Sequence, residues 1–268
     1  MTCGLCGGSA AVPFLQAGGR RLVKCSGCGL IYTGDFDRSK AEYKEDYFAA
    51  KNRYVERWDE FCLMFDALLA KVQAFKRSGK LLDVGAGVGA LLTAAKKRGF
   101  EVKGVESSAW ASAFARDEKG LDVFTGALAD AGIEPESFDL AVLNHVLEHA
   151  EDPVGLLAGM RLLLKKDGLL VVGVPNIGSI MAGLQGANWP SLRPEEHLWH
   201  FTGETLGKLL AKADFEVVYF EARENYAAGG WGPIALAKRL VNQVSVWSDR
   251  SEAMLFFARK KACADARS

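Results

Sequence analysis

Three groups of residues in this sequence could do chemistry. The stretch KLLDVGAGVGALL, Lys80 to Leu92, ends an apolar run in glycines at every second position, Gly85, Gly87 and Gly89, with the carboxylate of Asp83 two residues ahead of the first. Glycines after a strand lay the backbone bare, so that a ligand can approach the main chain more closely than a Cβ would allow. Four cysteines, Cys3, Cys6, Cys25 and Cys28, form two C-x-x-C-G knuckles. Each knuckle presents two sulfurs to one point, and four thiolates suit one tetrahedral zinc ion. The four histidines fall in two pairs, His145 with His149 and His197 with His200. Imidazole is the side chain that most readily exchanges a proton near neutral pH.

All four ligands of the cysteine site come from the chain, which predicts a structural and not a catalytic metal. Between the knuckles, VPFLQAGGRRLVKC reads as two short strands about a Gly18-Gly19 turn, and GLIYT as a third. A piece this small needs a staple to hold a core, and it resembles a zinc ribbon. Disulfides are the rival reading, disfavoured by the C-x-x-C spacing and by the lack of an export signal. Arg20, Arg21 and Lys24 make the segment locally basic, a thin footprint for nucleic acid. Substrate presentation or domain packing is the preferred role. Cys62 and Cys263 read as buried small apolar residues.

Periodicity gives the elements that must position these groups. From Arg53 to Lys76, apolar residues at Val55, Trp58, Phe61, Cys62, Phe65, Leu68, Leu69, Val72 and Phe75 predict a long helix with one buried face. After the first strand, a helix from Ala90 to Arg98 closes at Gly99 and EVKGVE forms a second strand. A helix from Ser107 to Lys119 then closes at Gly120, and LDVFTG is a third strand. FDLAVLN and GLLVVGVP follow as strands four and five, joined by a helix that Asp152 caps and Pro153 starts. Strands alternating with helices make a parallel, doubly wound sheet, and FEVVYFEA with EAMLFFARK would close it as a reversed hairpin.

With 268 residues and 49% apolar content the chain can bury a sizeable core. Lys plus Arg and Asp plus Glu are equal at 33 each, so the long-range attraction that a phosphate backbone exploits is missing and no nucleic acid partner is expected. No export segment and no membrane span are apparent. The expectation is a cytoplasmic protein.

The glycines alone leave the ligand open. Gly85, Gly87 and Ala90 satisfy the loose dinucleotide fingerprint, and such a turn can also serve a phosphate or S-adenosylmethionine. Asp83 stands where a dinucleotide fold keeps an apolar residue, and it suits a cofactor that carries an amine and no phosphate. Glu106, at the end of strand two, could hold the ribose of either cofactor.

Taken together, LLDVGAGVG, Glu106, FDLAVLNHVLEHAEDP, LKKDGLLVVGVPN and HLWHFTGETL resemble the class I S-adenosylmethionine-dependent methyltransferases, over roughly Phe75 to Lys260. The resemblance implies a Rossmann-like, seven-stranded, mostly parallel α/β sheet with a reversed C-terminal hairpin, beside the small N-terminal zinc ribbon. The domains would be 1–34 (ribbon), 35–74 (helical linker or cofactor lid) and 75–268 (methyltransferase). It also implies that Asp83, Gly85 and Gly87 approach the amino-acid portion of the cofactor, that Glu106 holds the ribose, that Leu128 flanks the adenine and that Asn144 completes the contacts. Many relatives carry an acidic residue soon after the third strand; here it is delayed to Asp130.

Methyl transfer from a sulfonium is a one-step displacement, so a base is needed only if the acceptor must lose a proton. His145 and His149 follow strand four, four apart, and would share a face on a helix. Their stretch is similar to the LEH run of ubiquinone-biosynthesis O-methyltransferases, where acidic and His side chains can also hold a divalent ion; His145 occupies the position of one of those acids. The connection PNIGSIMAGLQGANWPSLRPEEHLWHFT is longer than a turn requires, and such loops serve as lids or binding walls. Arg193, His197 and His200 would then face the cleft, or the histidines would pack the start of a helix at Thr202. Tyr43 and Tyr47 would fold over the cofactor or join the core.

The resulting expectation is an enzyme that moves a methyl group from S-adenosylmethionine to a hydroxyl of a sugar, glycan precursor or other small metabolite. His149 is the preferred base, with His200 and His145 as alternates, and zinc is structural. Its rivals are a sugar C-methyltransferase, a non-catalytic RNA-binding protein on a methyltransferase-like scaffold, and an NAD-dependent oxidoreductase.

Overall fold

The computed structural model describes residues 2–36, 47–51, 53–223, 245 and 248–262; Tyr43 and Cys263 lie outside the described residues. The N-terminal segment folds as its glycine turn requires. Strands β1 (Ala11–Ala17) and β2 (Arg20–Cys25) pair antiparallel about Gly18 and Gly19, both left-handed, with an irregularity between Pro13 and Leu15. Strand β3 (Ile31–Thr33) adds to β2. Helix α1 (Trp58–Val72) buries Phe61, Leu68, Leu69 and Val72, the stripe that its apolar spacing predicts.

Strand and helix then alternate: β4 (Gly79–Val84), α2 (Ala90–Lys97), β5 (Phe100–Glu106), α3 (Ala109–Asp117), β6 (Val123–Thr125) and β7 (Phe138–Asn144). Gly99 and Gly120 end the two helices in left-handed conformations, at φ 85° and 61°. Ser108 caps α3 by accepting the Ala111 N–H. Helix α4 (Pro153–Leu163) begins at the expected proline, with the Asp152 carboxylate accepting the Gly155 N–H at 2.8 Å. Strand β8 (Leu164–Pro175), helix α5 (Ile180–Gln185), strand β9 (Trp199–His200), helix α6 (Gly203–Lys212) and strands β10 (Phe215–Arg223) and β11 (Ala253–Lys260) complete the described elements. Thr202 and Thr205 form a reciprocal capping box at the start of α6.

The larger sheet has seven strands in the order β10-β11-β8-β7-β4-β5-β6. Within it β4 runs parallel to β5 and β7, and β5 parallel to β6. The last strand, β11, inserts between β8 and β10. Leu81, Leu82, Leu140, Ala141, Val142 and Leu143 are fully buried, as strands covered on both faces must be. This is the Rossmann-like α/β architecture that the alternation predicts. A second sheet has the order β1-β2-β3-β9, so the ribbon hairpin gains a fourth strand from a distant segment, which sequence periodicity did not anticipate.

By packing, the chain divides into two units. One comprises Glu42–Asn144, Gly159–Val171 and Arg259–Ser268; the other comprises Met1–Ala41, His145–Ala158 and Val172–Ala258. Among the described residues no helix is long and apolar enough to cross a membrane.

Candidate functional site

In the first unit, β4 runs into a turn whose glycines Gly85, Gly87 and Gly89 all take positive φ, 75°, 53° and 89°. Gly89 has no alternative: a Cβ there would meet Leu121 Cδ1 at 2.4 Å. Four of the turn's N–H groups are engaged. Those of Gly85 and Ala86 donate to the Val105 carbonyl at 2.8 and 3.1 Å, and that of Gly89 donates to the Ala86 carbonyl at 2.9 Å. Gly87 donates to Glu106 Oε2 at 2.7 Å, and the other carboxylate oxygen accepts the Ser108 N–H at 2.7 Å. Glu106 therefore clamps the turn to the start of α3. A carboxylate has about four acceptor positions, so further donors can still reach it.

Asp83 is buried. Burial, and then the charge of Glu106, push its carboxyl well above the usual carboxylate range. Over the turn lies Phe48, whose Cε1 would stand 3.5 Å from a Cβ on Gly87. It belongs to a cluster with Val88 and Ala111, against which Tyr47, Tyr54 and Trp110 pack. The sequence reading singled out Tyr47 and passed over Phe48, though the adjacent aromatic was a usable signal. Leu128 is half-buried at the head of a single 3-10 turn, Asn144 ends β7, and Asp130 is exposed.

The second unit holds the histidines. His145 takes φ 57°, a left-handed conformation that non-glycine residues adopt under constraint, and residues 147–149 form one 3-10 turn. His145 and His149 therefore do not share a helical face. His145 Nδ1 lies 3.1 Å from Glu148 Oε1. Glu148 is only 1% exposed, and its Oε2 is buried with no hydrogen-bond partner among the described residues, a costly arrangement that points to a ligand. His149 Nδ1 lies 2.9 Å from the Glu196 carbonyl. A carbonyl only accepts, so Nδ1 carries the proton and Nε2 holds the lone pair. The His197 ring meets His149 edge-on, centroids 4.8 Å apart. Burial first, then neighbouring positive charge, holds His197 well below its usual range and keeps it neutral.

Ligand atoms of Glu148, His149 and His197 lie within 4.8 Å of one another. A carboxylate with two imidazoles suits a divalent ion of intermediate softness. Glu148 escaped the sequence reading, although it stands beside His149. His200 faces a different partner: it is 4% exposed, and its Nε2 lies 3.1 Å from Thr33 Oγ1. Burial drives its protonation down to about 3. Neither placement read from HLWHFT, in the cleft or against the helix start at Thr202, anticipates Thr33 as the partner of His200.

The cysteines converge as the knuckles require. Their ligand atoms all lie within 4.8 Å of one another, with Cys3 and Cys28 sulfurs 3.4 Å apart and those of Cys6 and Cys25 3.5 Å apart. All four are free thiols. A tetrahedron with zinc–sulfur bonds of about 2.3 Å has edges of about 3.8 Å, so the group fits the ion. Burial works to raise the Cys25 thiol, but the backbone N–H groups of Cys28 and Gly27 and the side chains of Cys6 and Cys28 together bring it down to about 7.

The family model described as "Methyltransferase domain" matches residues 54–219. The chain belongs to the class I S-adenosylmethionine-dependent methyltransferases. It is 31% identical over 153 residues to a ubiquinone biosynthesis O-methyltransferase of Cereibacter sphaeroides, a match that covers 52% of this chain and 61% of that relative. The fold is shared with a SAM-dependent methyltransferase of Thermotoga maritima, at a TM-score of 0.57 and 22% identity over 80% of this chain and 98% of that one. A SAM-dependent methyltransferase of Archaeoglobus fulgidus matches at 0.54 and 21%, covering 75% and 94%.

Proposed function

We propose that the protein transfers the methyl group of S-adenosylmethionine to a hydroxyl oxygen of a small-molecule acceptor, such as a sugar, a glycan precursor or another metabolite. One observation carries the choice of donor. The N–H groups of Gly85, Ala86, Gly87 and Gly89 are all engaged within the protein, whereas a phosphate-bearing dinucleotide needs such groups as donors. The turn offers close approach, beside the buried carboxyl of Asp83, and this suits a ligand with an ammonium and no phosphate.

Asp83, Gly85 and Gly87 would receive the amino-acid portion, Glu106 the ribose, Leu128 the adenine, and Asn144 the remainder. When bound, S-adenosylmethionine supplies an electrophilic methyl group. On the acceptor side, His149 takes the hydroxyl proton at Nε2 while its Nδ1–H stays on the Glu196 carbonyl. Glu148 and His197 would complete the site beside it. His145 is an alternate base, and His200 gives up that role because its ring is held by Thr33. The name of the Cereibacter relative favours oxygen as the accepting atom. The test is a panel of hydroxylated acceptors offered with labelled methyl donor. Label entering a hydroxyl supports the reading, and label entering carbon or nitrogen alone contradicts it.

The raised Asp83 carboxyl makes a separate prediction. An ammonium placed beside it lowers its affinity for the proton, so cofactor binding releases a proton. Calorimetric titrations in two buffers of different ionisation enthalpy should differ accordingly, and Asp83→Asn should abolish the difference. Because the folded-state value is raised, the stability that Asp83 contributes is present in acid and lost as pH rises through that value. Asp83→Asn should therefore raise the Tm of the ligand-free chain at neutral pH while weakening cofactor binding.

For the cysteines, we infer a zinc ribbon with about one zinc per chain. Metal analysis of the purified protein should find it, and Cys25→Ala should lose it. A Cys25→Ala chain with its full zinc load would refute the site.

A further inference from the structure

The ribbon's third strand reaches beyond the ribbon. Ile31 and Tyr32 of β3 pair antiparallel with His200 and Trp199 of β9. Thr33, fully buried, donates its N–H to the Leu198 carbonyl at 2.9 Å and its hydroxyl to the His197 carbonyl at 2.9 Å. A hydroxyl has one proton and the carbonyl takes it, so the 3.1 Å contact with His200 Nε2 is donated by the imidazole. One threonine thus fixes the backbone on both sides of His197 and the tautomer of His200.

From this segment the bonds continue to the turn that carries Glu148 and His149. Leu198 N–H donates to the Glu148 carbonyl at 2.9 Å, Trp199 Nε1–H to the Ala150 carbonyl at 2.6 Å, and the Glu196 carbonyl receives His149 Nδ1–H. The Trp199 ring also lies on the first cysteine knuckle, where a Cβ on Gly4 would meet it at 2.7 Å, and its centroid is 5.7 Å from that of Tyr32. The cysteine cluster and the histidine cluster are joined through one short segment, residues 196–200.

We propose that Thr33 is a positioning residue, and that the ribbon, once closed by its metal, sets the geometry of the Glu148–His149–His197 cluster. The ribbon would then be an integral support of the acceptor side. The consequence for turnover rests on the methyl-transfer reading; the consequence for the histidines does not.

The test uses the full chain, labelled with nitrogen-15 in histidine, and reads imidazole tautomers by NMR with and without S-adenosylhomocysteine. The parent should show His149 as the Nδ1–H tautomer and His200 as Nε2–H. Thr33→Val should retain zinc and S-adenosylhomocysteine affinity yet lose both tautomer assignments, and Thr33→Ser should restore them. Cys25→Ala, which costs the ribbon its zinc and leaves Glu148, His149 and His197 in place, should change the His149 signal in the same direction as Thr33→Val. Trp199→Phe, which removes the bond to Ala150 together with the part of the ring that lies on the Gly4 knuckle, provides a second variant should Thr33→Val fold poorly, and it should shift His149 as well. With an acceptor in hand, Thr33→Val should lower kcat by about 10- to 100-fold, the range for residues that orient a functional imidazole, with KM for the donor unchanged. His149 and His200 signals that stay put in Thr33→Val and in Cys25→Ala overturn the inference. Failure of S-adenosylhomocysteine to bind would sink the methyl-transfer reading instead, and the ligand-free spectra would still decide this one.

Discussion

Replacing His149 by alanine should slow methyl transfer by about 10² to 10⁴-fold, the usual contribution of a positioned base, and leave binding of S-adenosylhomocysteine intact. The structure separates the two nitrogens of this ring: Nδ1 donates to the Glu196 carbonyl, so the lone pair of the neutral ring is on Nε2. His149→Asn is the informative companion, because its amide can still donate to a carbonyl but has no basic nitrogen. It should be as slow as alanine. His200→Ala is expected to fail differently, by loosening the packing around Thr33. Single-turnover rates at saturating donor decide the matter. If His149→Ala and His145→Ala both react within a few-fold of the parent, no histidine of this turn is the base and alignment alone carries the reaction.

The second large effect belongs to Glu106. Its two oxygens each hold a backbone N–H, from Gly87 and Ser108, so the carboxylate shapes the turn as well as offering acceptors to a ligand. Glu106→Ala should weaken S-adenosylmethionine binding by about 1 to 3 kcal/mol, the worth of hydrogen bonds to a charged group. Glu106→Gln should fall between, since the amide keeps one acceptor oxygen and must turn its NH₂ toward the other N–H. A calorimetric Kd for Glu106→Ala equal to that of the parent would contradict the role.

Much of the architecture could be read from the sequence because it is written in local patterns. The helix ends at Gly99 and Gly120, the cap at Asp152 and Pro153, and the left-handed Gly85, Gly87 and Gly89 all follow from residues within a few positions of one another. The cysteine cluster was legible for the same reason, since C-x-x-C fixes two sulfurs locally and leaves only the joining of the knuckles to the fold. The pairing of β3 with β9 was not legible. It is two residues long on one side and joins segments about 165 positions apart, where neither periodicity nor composition carries information about the partner. For the same reason nothing in HLWHFT points to Thr33 as the partner of His200. Glu106 was recognised as an acid at a strand end, but its bond to Gly87 depends on the path of the turn, which no spacing rule gives. The i, i+4 spacing of His145 and His149 gives a shared face only if the segment is helical, and a left-handed φ at His145 removes that premise.

The ligand of the glycine turn is tested most directly by a calorimetric titration of the full chain with S-adenosylmethionine, S-adenosylhomocysteine and NAD in turn. We predict that the first two bind at about one equivalent per chain and raise the Tm as stabilising ligands do, that Glu106→Ala weakens both, and that NAD gives no binding heat. Saturable binding of NAD with no response to S-adenosylmethionine would contradict the account.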